Sequence, residues 1–408
     1  MDFRTFAPDR VSTPAKLFLL AMIFNGVANG VINVVLQLYL MSMGFESAAL
    51  GTLSMMNPIG AALLTIPMGI LADRYGKGRI LLFGFLMVAL QQIILLTARS
   101  IELLMLGFLF IGVANATGAV IGPLFASFFD SKDLDRAFGL MGFLNILSIS
   151  GGSLVGFVPP LLVANYGYSL QSSYWILLAA SSLFLFAMLP LLVMAIRSVE
   201  ESKKTGERPR FNLRSKGVVA KFSFLNIISS IGLGTFFSFL PYYVNKKFGA
   251  ESGALGTLYF VSNFIQAGSN IIAPRISQKL GTLKTIVASL SLATPFYLLM
   301  PLAPNFTWLS ALYILRIGIA NICSPLTSSL FLKLLYDEEK ATANSITMMA
   351  SYGGNIVAPK LGGQLMEQVS LDLPAYLGSG LYAIYAVSYY FLLRNEKEKG
   401  IEQKQVEV

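Results

Sequence analysis

The chain has 408 residues, 55% of them hydrophobic and only 12% charged, with a formal net charge of +9 and a mean hydropathy of +0.67. A water-soluble domain carries about 25% charged residues, so these figures exclude an ordinary soluble protein and indicate a chain whose solvent is lipid. A single cysteine, Cys323, and the absence of histidine rule out an internal disulfide and argue against a metal site built on soft ligands; neither metal nor cofactor is expected.

In chain order, the first 14 residues carry Asp2, Arg4, Asp9 and Arg10 and lack the apolar core and small-residue cleavage site of a removable leader. The first apolar run is therefore expected to stay as an anchor. Twelve such runs can be drawn, at roughly 15–42, 48–72, 79–98, 102–129, 137–164, 172–196, 217–245, 252–277, 284–303, 306–335, 341–366 and 373–393. Each can cross a hydrocarbon core of ~30 Å as a helix, which predicts an all-α polytopic membrane protein with twelve transmembrane helices. With the N-terminus inside, Arg99, Lys246 and Lys247 fall in outward connections and Arg316 and Lys360 within spans, and the other basic residues gather on the inward side. This is the positive-inside pattern. It predicts a cell-membrane protein with both termini cytoplasmic, and it accounts for the basic excess without a nucleic-acid partner.

The one long polar connection, RSVEESKKTGERPRFNLRSK at 197–216, divides the chain into a six-span half at 1–197, a linker at 198–216, a second six-span half at 217–394 and a tail at 395–408. The halves repeat each other. GFESAALGTL at 44–53 and GAESGALGTL at 249–258 agree at eight of ten positions with an offset of 205. At the same offset GILADRYG at 69–76 falls on PRISQKLG at 274–281, while DLDRA at 133–137 falls on DEEKA at 337–341 with an offset of 204. Six spans separate the copies, an even number, so both halves enter from one side and form a parallel repeat about an axis along the membrane normal. A small-molecule solute is then expected between the halves, near the midplane.

The segment GILADRYGKGR at 69–79 joins the second and third spans. It resembles the signature of the major facilitator superfamily, with Gly69, Asp73, Arg74, Gly76, Lys77 and Arg79 at the signature positions, and with the twelve-span repeat the resemblance covers essentially the whole chain. It implies a secondary transporter working by alternating access as a monomer in the bilayer, not an enzyme or a channel. Physically, Gly69 would allow close helix approach, and Asp73 could cap a facing helix end in one arrangement of the halves. The resemblance implies that this end is the start of the eleventh span, near Ala341, with Arg74, Asp130 and Arg136 completing a gate. In the second copy Gln278 replaces the acid and Pro274 the glycine, predicting a one-sided latch. The fifth span, SISGGSLVGFVPP at 148–160, lacks the Gly-Pro pair of drug antiporters in this superfamily, and the fourth lacks the arginine that many family members carry there.

In that superfamily the first, fourth, seventh and tenth spans line the cavity. The first carries Asn25, Asn29, Asn33 and Gln37 at four-residue spacing, a polar stripe on an apolar helix; it either lines a cavity or bonds neighbouring helices. Asn115, Asn226, Ser230 and Tyr313 are further cavity candidates. Arg316 is a charge near midplane, which must face the bundle interior or water. It either pairs with an anionic or hydrogen-bonding solute group or is held structurally by neighbouring polar groups. Lys360 is expected to reach the interface, with Glu367 as a partner. The sequence thus favours a small anionic or amphiphilic organic solute, with a drug efflux antiporter or a carrier of neutral hydrophiles such as sugars as alternatives.

Overall fold

The computed structural model describes residues 11–129, 133–197, 213–336 and 339–396. Among these the regular structure is entirely helical. The first half comprises α1 (Thr13–Ser42), α2 (Ser47–Tyr75), α3 (Lys77–Thr97), α4 (Ile101–Ala116), α5 (Ile121–Ala126), α6 (Leu134–Leu154), α7 (Val158–Tyr166) and α8 (Leu170–Arg197). The second comprises α9 (Lys216–Phe237), α10 (Leu240–Phe248), α11 (Ser252–Leu280), α12 (Thr282–Leu299), α13 (Phe306–Asn321), α14 (Cys323–Lys333), α15 (Lys340–Gln368) and α16 (Leu373–Leu393).

Every predicted span coincides with helix, but four are broken. The fourth passes through a 3-10 turn at Thr117–Val120 and the fifth through one at Val155–Phe157; the seventh breaks at Ser238 and the tenth at Ile322. The breaks in the fourth and tenth spans lie at repeat-related positions. Local chemistry starts the helices: Ser12 Oγ accepts from the Ala15 amide at 3.4 Å, and Asn305 Oδ1 from the Trp308 amide at 3.0 Å. These contacts satisfy end groups that no helical partner reaches. Prolines 58, 67, 190, 274, 295 and 359 sit inside helices, which membrane helices tolerate where neighbours re-satisfy the freed carbonyls. Eight helical stretches among the described residues are long and apolar enough to cross a membrane.

The chain forms two compact units. Unit 1 holds Met1–Phe45, Met56–Glu207 and Gly249–Phe260; unit 2 holds Glu46–Met55, Arg208–Phe248 and Val261–Val408. Each unit therefore takes in the first turns of a helix from the other sequence half. Within unit 1, α1 packs on α6 and α8, and α3 on α4; within unit 2, α9 packs on α15 and α16, and α12 on α13. These pairs are repeat equivalents. Gly76 and Gly281, also repeat mates, turn the chain into α3 and α12 with φ of 97° and 85°, a region in which a Cβ is strained.

Backbone proximity within the units is set by small residues. A Cβ on Gly30 would overlap the Ile149 carbonyl oxygen, and one on Gly152 that of Val27, so α1 and α6 touch backbone to backbone. In lipid, where apolar burial between helices gives little, such close van der Waals contact is a main source of helix association.

Candidate functional site

Unit 1 encloses a cavity of about 450 Å³ between α1, α2, α3 and α4, with Leu185 of α8 on its wall. The stripe on α1 faces it: Asn25, Asn29 and Asn33 all line the space. Asn29 Nδ2 donates to the Asn25 carbonyl at 2.8 Å and to Asn25 Oδ1 at 3.1 Å, so part of the stripe bonds to itself. Asn115, from α4, also lines the cavity and donates through Nδ2 to Oδ1 of Asn57 on α2 at 2.9 Å. That pair is brought together by glycine: a Cβ on Gly112 would overlap the Asn57 carbonyl oxygen, and one on Gly60 would come within 2.6 Å of that of Leu109.

Two further amides, Gln91 and Gln92 of α3, complete the polar wall. Gln92 is fully buried; its Oε1 is 3.5 Å from Ser182 Oγ, while its Nε2 has no hydrogen-bond partner. An orphaned buried donor costs about 1–3 kcal/mol. The rest of the wall is apolar, with Phe85, Phe108, Ile32 and Val88 prominent, and none of the described lining residues is charged. Sequence periodicity had not singled out Asn57, Gln91 or Gln92. The available signal was a pair of adjacent glutamines inside an otherwise apolar run.

The unit 2 candidates lie elsewhere. Arg316 is 7% exposed, and its guanidinium carbon sits 4.5 Å from the ring centre of Phe237, 5.0 Å from that of Tyr382 and 5.8 Å from that of Tyr297. The rings come from α9, α12 and α16, and Tyr297 is fixed by donating its hydroxyl to the Gly232 carbonyl at 2.9 Å. Tyr313, one turn earlier on α13, is also buried and packs 5.9 Å from Phe237. Neither residue lines the unit 1 cavity. Asn226 Nδ2 donates to the Thr347 carbonyl at 3.2 Å, and the Ser230 and Ser351 hydroxyls are 2.8 Å apart. Both contacts join α9 to α15, and Asn226 also lines a second cavity of about 490 Å³ that includes Lys340, Asn344 and Ser351.

Of the signature residues, Arg74 lies 5.4 Å from the Tyr75 ring, Arg79 and Arg136 are exposed, and Lys77 is half-buried at the start of α3. The Asp73 side chain and Asp130 lie outside the described residues. A Cβ on Gly69 would meet nothing within 4 Å, so the close helix approach expected there is not made; open space adjoins it, and the tight contacts occur at Gly30, Gly60, Gly112 and Gly152. Glu367 likewise serves a role other than partnering Lys360, because its Oε2 accepts the Ala48 amide at 2.9 Å and so caps α2.

Two further tight contacts occur in each unit where α2 or α11 begins. In unit 2, Cβ atoms on Gly51 and Gly363 would overlap the carbonyl oxygens of Pro359 and Ser47; in unit 1, those on Gly256 and Gly156 would overlap the carbonyl oxygens of Ser153 and Ser252. Glu46 adds a polar contact in unit 2, accepting from the Tyr242 hydroxyl at 2.7 Å and from Lys246 Nζ at 3.2 Å.

The family model of the Major Facilitator Superfamily matches residues 18–225 and, a second time, residues 222–407. The tetracycline resistance protein, class H, of Pasteurella multocida is 22% identical over 351 residues, covering 82% of this chain and 84% of that protein. The quinolone resistance protein NorA of Staphylococcus aureus (strain MSSA476) is 22% identical over 389 residues, covering 89% and 92%. Among solved structures, a mutant of the nucleoside transporter NupG superposes with a TM-score of 0.77 at 13% identity, covering 94% of this chain and all of that one. The POT family transporter PepTSo gives 0.74 at 12% identity, covering 93% and 97%. With its model matched twice, once per half, on a helical fold that such transporters share, the chain belongs to the Major Facilitator Superfamily.

Proposed function

We propose that this membrane transporter carries a small, uncharged, amphiphilic organic solute by alternating access, and that the solute's polar part binds in the amide-lined cavity of unit 1. The observation that carries the reading is the composition of that wall: amides from four sites on α1 to α4 set into aromatic and aliphatic surface, with no charge among the described lining residues. Ligand pockets of ~300–1,000 Å³ that are mostly apolar, with a few placed polar groups, are the common form of small-molecule sites. The tetracycline, quinolone and multidrug resistance proteins among the relatives support a drug-like amphiphile over a sugar. An anionic solute on Arg316 has less support, since the guanidinium is nearly buried and already faces three aromatic rings.

The same reading puts the protein in the cell membrane as a monomer with both termini cytoplasmic, and assigns no catalytic step to it. It keeps Asp73, with Arg74 and Arg136, as a latch on one arrangement of the halves. Asp73→Asn should shift the accessibility of single cysteines to labelling reagents on the two membrane faces; an unchanged pattern removes the latch.

The solute site is tested by thermal unfolding of purified protein against a panel of uncharged, anionic and cationic amphiphiles. A ligand of the folded state raises stability by RT ln(1 + [L]/Kd). Uncharged compounds should stabilise the wild type and lose most of that effect in Asn29→Leu and Asn115→Leu. Stabilisation by anions alone, abolished by Arg316→Ala, would reverse the assignment.

A further inference from the structure

We infer that the solute presents a hydrogen-bond acceptor of carbonyl type to Nε2 of Gln92; this rests on the unit 1 cavity being the solute site. Four of the cavity's other amides meet in pairs: Asn29 donates to Asn25 and Asn115 donates to Asn57. Gln92 is different. It is wholly buried on α3 and lines the cavity, yet its two amide hydrogens have no acceptor. Ser182 Oγ, which donates to the Leu178 carbonyl at 2.8 Å, also stands 3.5 Å from Oε1 as a donor, so the serine serves the oxygen of the amide and leaves Nε2 unpaired.

A buried donor without a partner is a standing demand for an acceptor, and the surroundings select which kind. A carboxylate or phosphate would enter a space with no lysine or arginine among its described walls, and would lose its hydration without a counter-charge. A cation would meet the positive end of the Gln92 amide. A neutral carbonyl needs no counter-charge, and the flat apolar remainder of such a solute fits against Phe85, Val88 and Leu185, which share the same lining. The glutamine thereby selects by what it would lose. A solute lacking the acceptor leaves Nε2 still buried and unpaired, which is how a polar group fixed in an apolar pocket discriminates.

The test uses a matched pair of rigid tricycles, xanthone with its ring carbonyl and xanthene with a methylene in that place, bound to the purified full chain and measured by equilibrium dialysis. Wild type should bind xanthone roughly tenfold tighter than xanthene or better. In Gln92→Met, a volume-conserving change that removes the orphaned donor, the ratio should fall toward one while the unliganded Tm stays at or above that of wild type. Equal affinity of the two compounds for wild type, or an unchanged ratio in Gln92→Met, overturns the inference and leaves the cavity reading standing. Binding of both compounds that is indifferent to Asn29→Leu, or no binding of either, overturns the cavity reading and the inference with it. The wild-type ratio alone decides the matter if the variant fails to fold.

Discussion

Ser47 and Ser252, repeat mates 205 residues apart, make the same bond in different units: Ser47 Oγ donates to the Gly363 carbonyl at 2.9 Å in unit 2 and Ser252 Oγ to the Gly156 carbonyl at 2.7 Å in unit 1. One turn on, Gly51 and Gly256 are also repeat mates, and each presses on a backbone carbonyl oxygen. The duplicated sequence has kept one contact twice, in serine and glycine alike.

Neither Gly51 nor Gly256 can gain a side chain cheaply, because the obstructing atoms are backbone. Gly51→Val and Gly256→Val should each lower stability by about 1–3 kcal/mol, the usual cost of overpacking, and should do so to similar extents. Thermal unfolding in detergent checks this; a Tm unchanged in either variant refutes the contact.

Glu339 is expected to be the most sensitive carboxylate among the described residues. It accepts from the backbone amides of Arg214 at 2.7 Å, Ser215 at 3.1 Å and Tyr336 at 3.3 Å, tying the approach to α9 to the start of α15. Burial works against its charge, but the Ser215 hydroxyl together with these backbone donors holds its carboxyl below the usual range. Glu339→Gln, which keeps the shape and removes the charge, should cost about 1.5–3 kcal/mol, measured by unfolding at neutral pH. A Tm equal to that of wild type would show the clamp to be idle.

Glu46 gives the protein an acid-sensitive contact. Hydrogen bonds from Tyr242 and Lys246 keep its carboxyl below the ordinary value, so the folded state binds its proton less tightly than the unfolded one. The stabilisation is complete above the ordinary glutamate value of about 4.3 and is lost as pH falls through the lower folded value. Glu46→Gln should flatten the acid limb of the Tm–pH profile and lower Tm at pH 7 by the matching small amount, since an exposed pair contributes about 0–1 kcal/mol. An acid limb identical to wild type counts against the contact.

Arg316 is expected to act through its plane as well as its charge. A guanidinium over aromatic faces gains about 0.5–2 kcal/mol from such contact, more when desolvated, and a lysine cannot stack in the same way. Stability should therefore fall in the order Arg, Lys, Ala at this position. Equal Tm values for wild type and Arg316→Lys would reduce the cage to packing around a point charge.

The spans and the repeat could be read from the sequence because lipid imposes a length on each apolar run and duplication leaves matching residues. The breaks at 117–120 and Ile322 could not, because the polar residues beside them, Asn115 and Thr117 in one and Asn321 and Ser324 in the other, are of the kind that also sits in unbroken helices such as α1. The α1 stripe was legible as a face of one helix. Its company was not: Asn57, Gln91 and Gln92 reach the same space from other helices, and spacing along a chain says nothing about which helices converge. Arg316 stood out as a charge in an apolar run, but its partners Phe237, Tyr297 and Tyr382 come from three other helices, α9, α12 and α16. The tyrosine series at 382, 385 and 389 on α16 was the available hint.

The assignment of residues 249–260 to unit 1 and 46–55 to unit 2 bears on how the chain can be divided. A cut in the polar segment after residue 207 separates the sequence halves but does not separate the two compact units, since residues 46–55 and 249–260 each go with the other fragment. Fragments 1–207 and 208–408 are thus expected to complement each other. Made together they should reconstitute the carrier, and made singly each should have an unfilled seat where the other's serine and glycine belong.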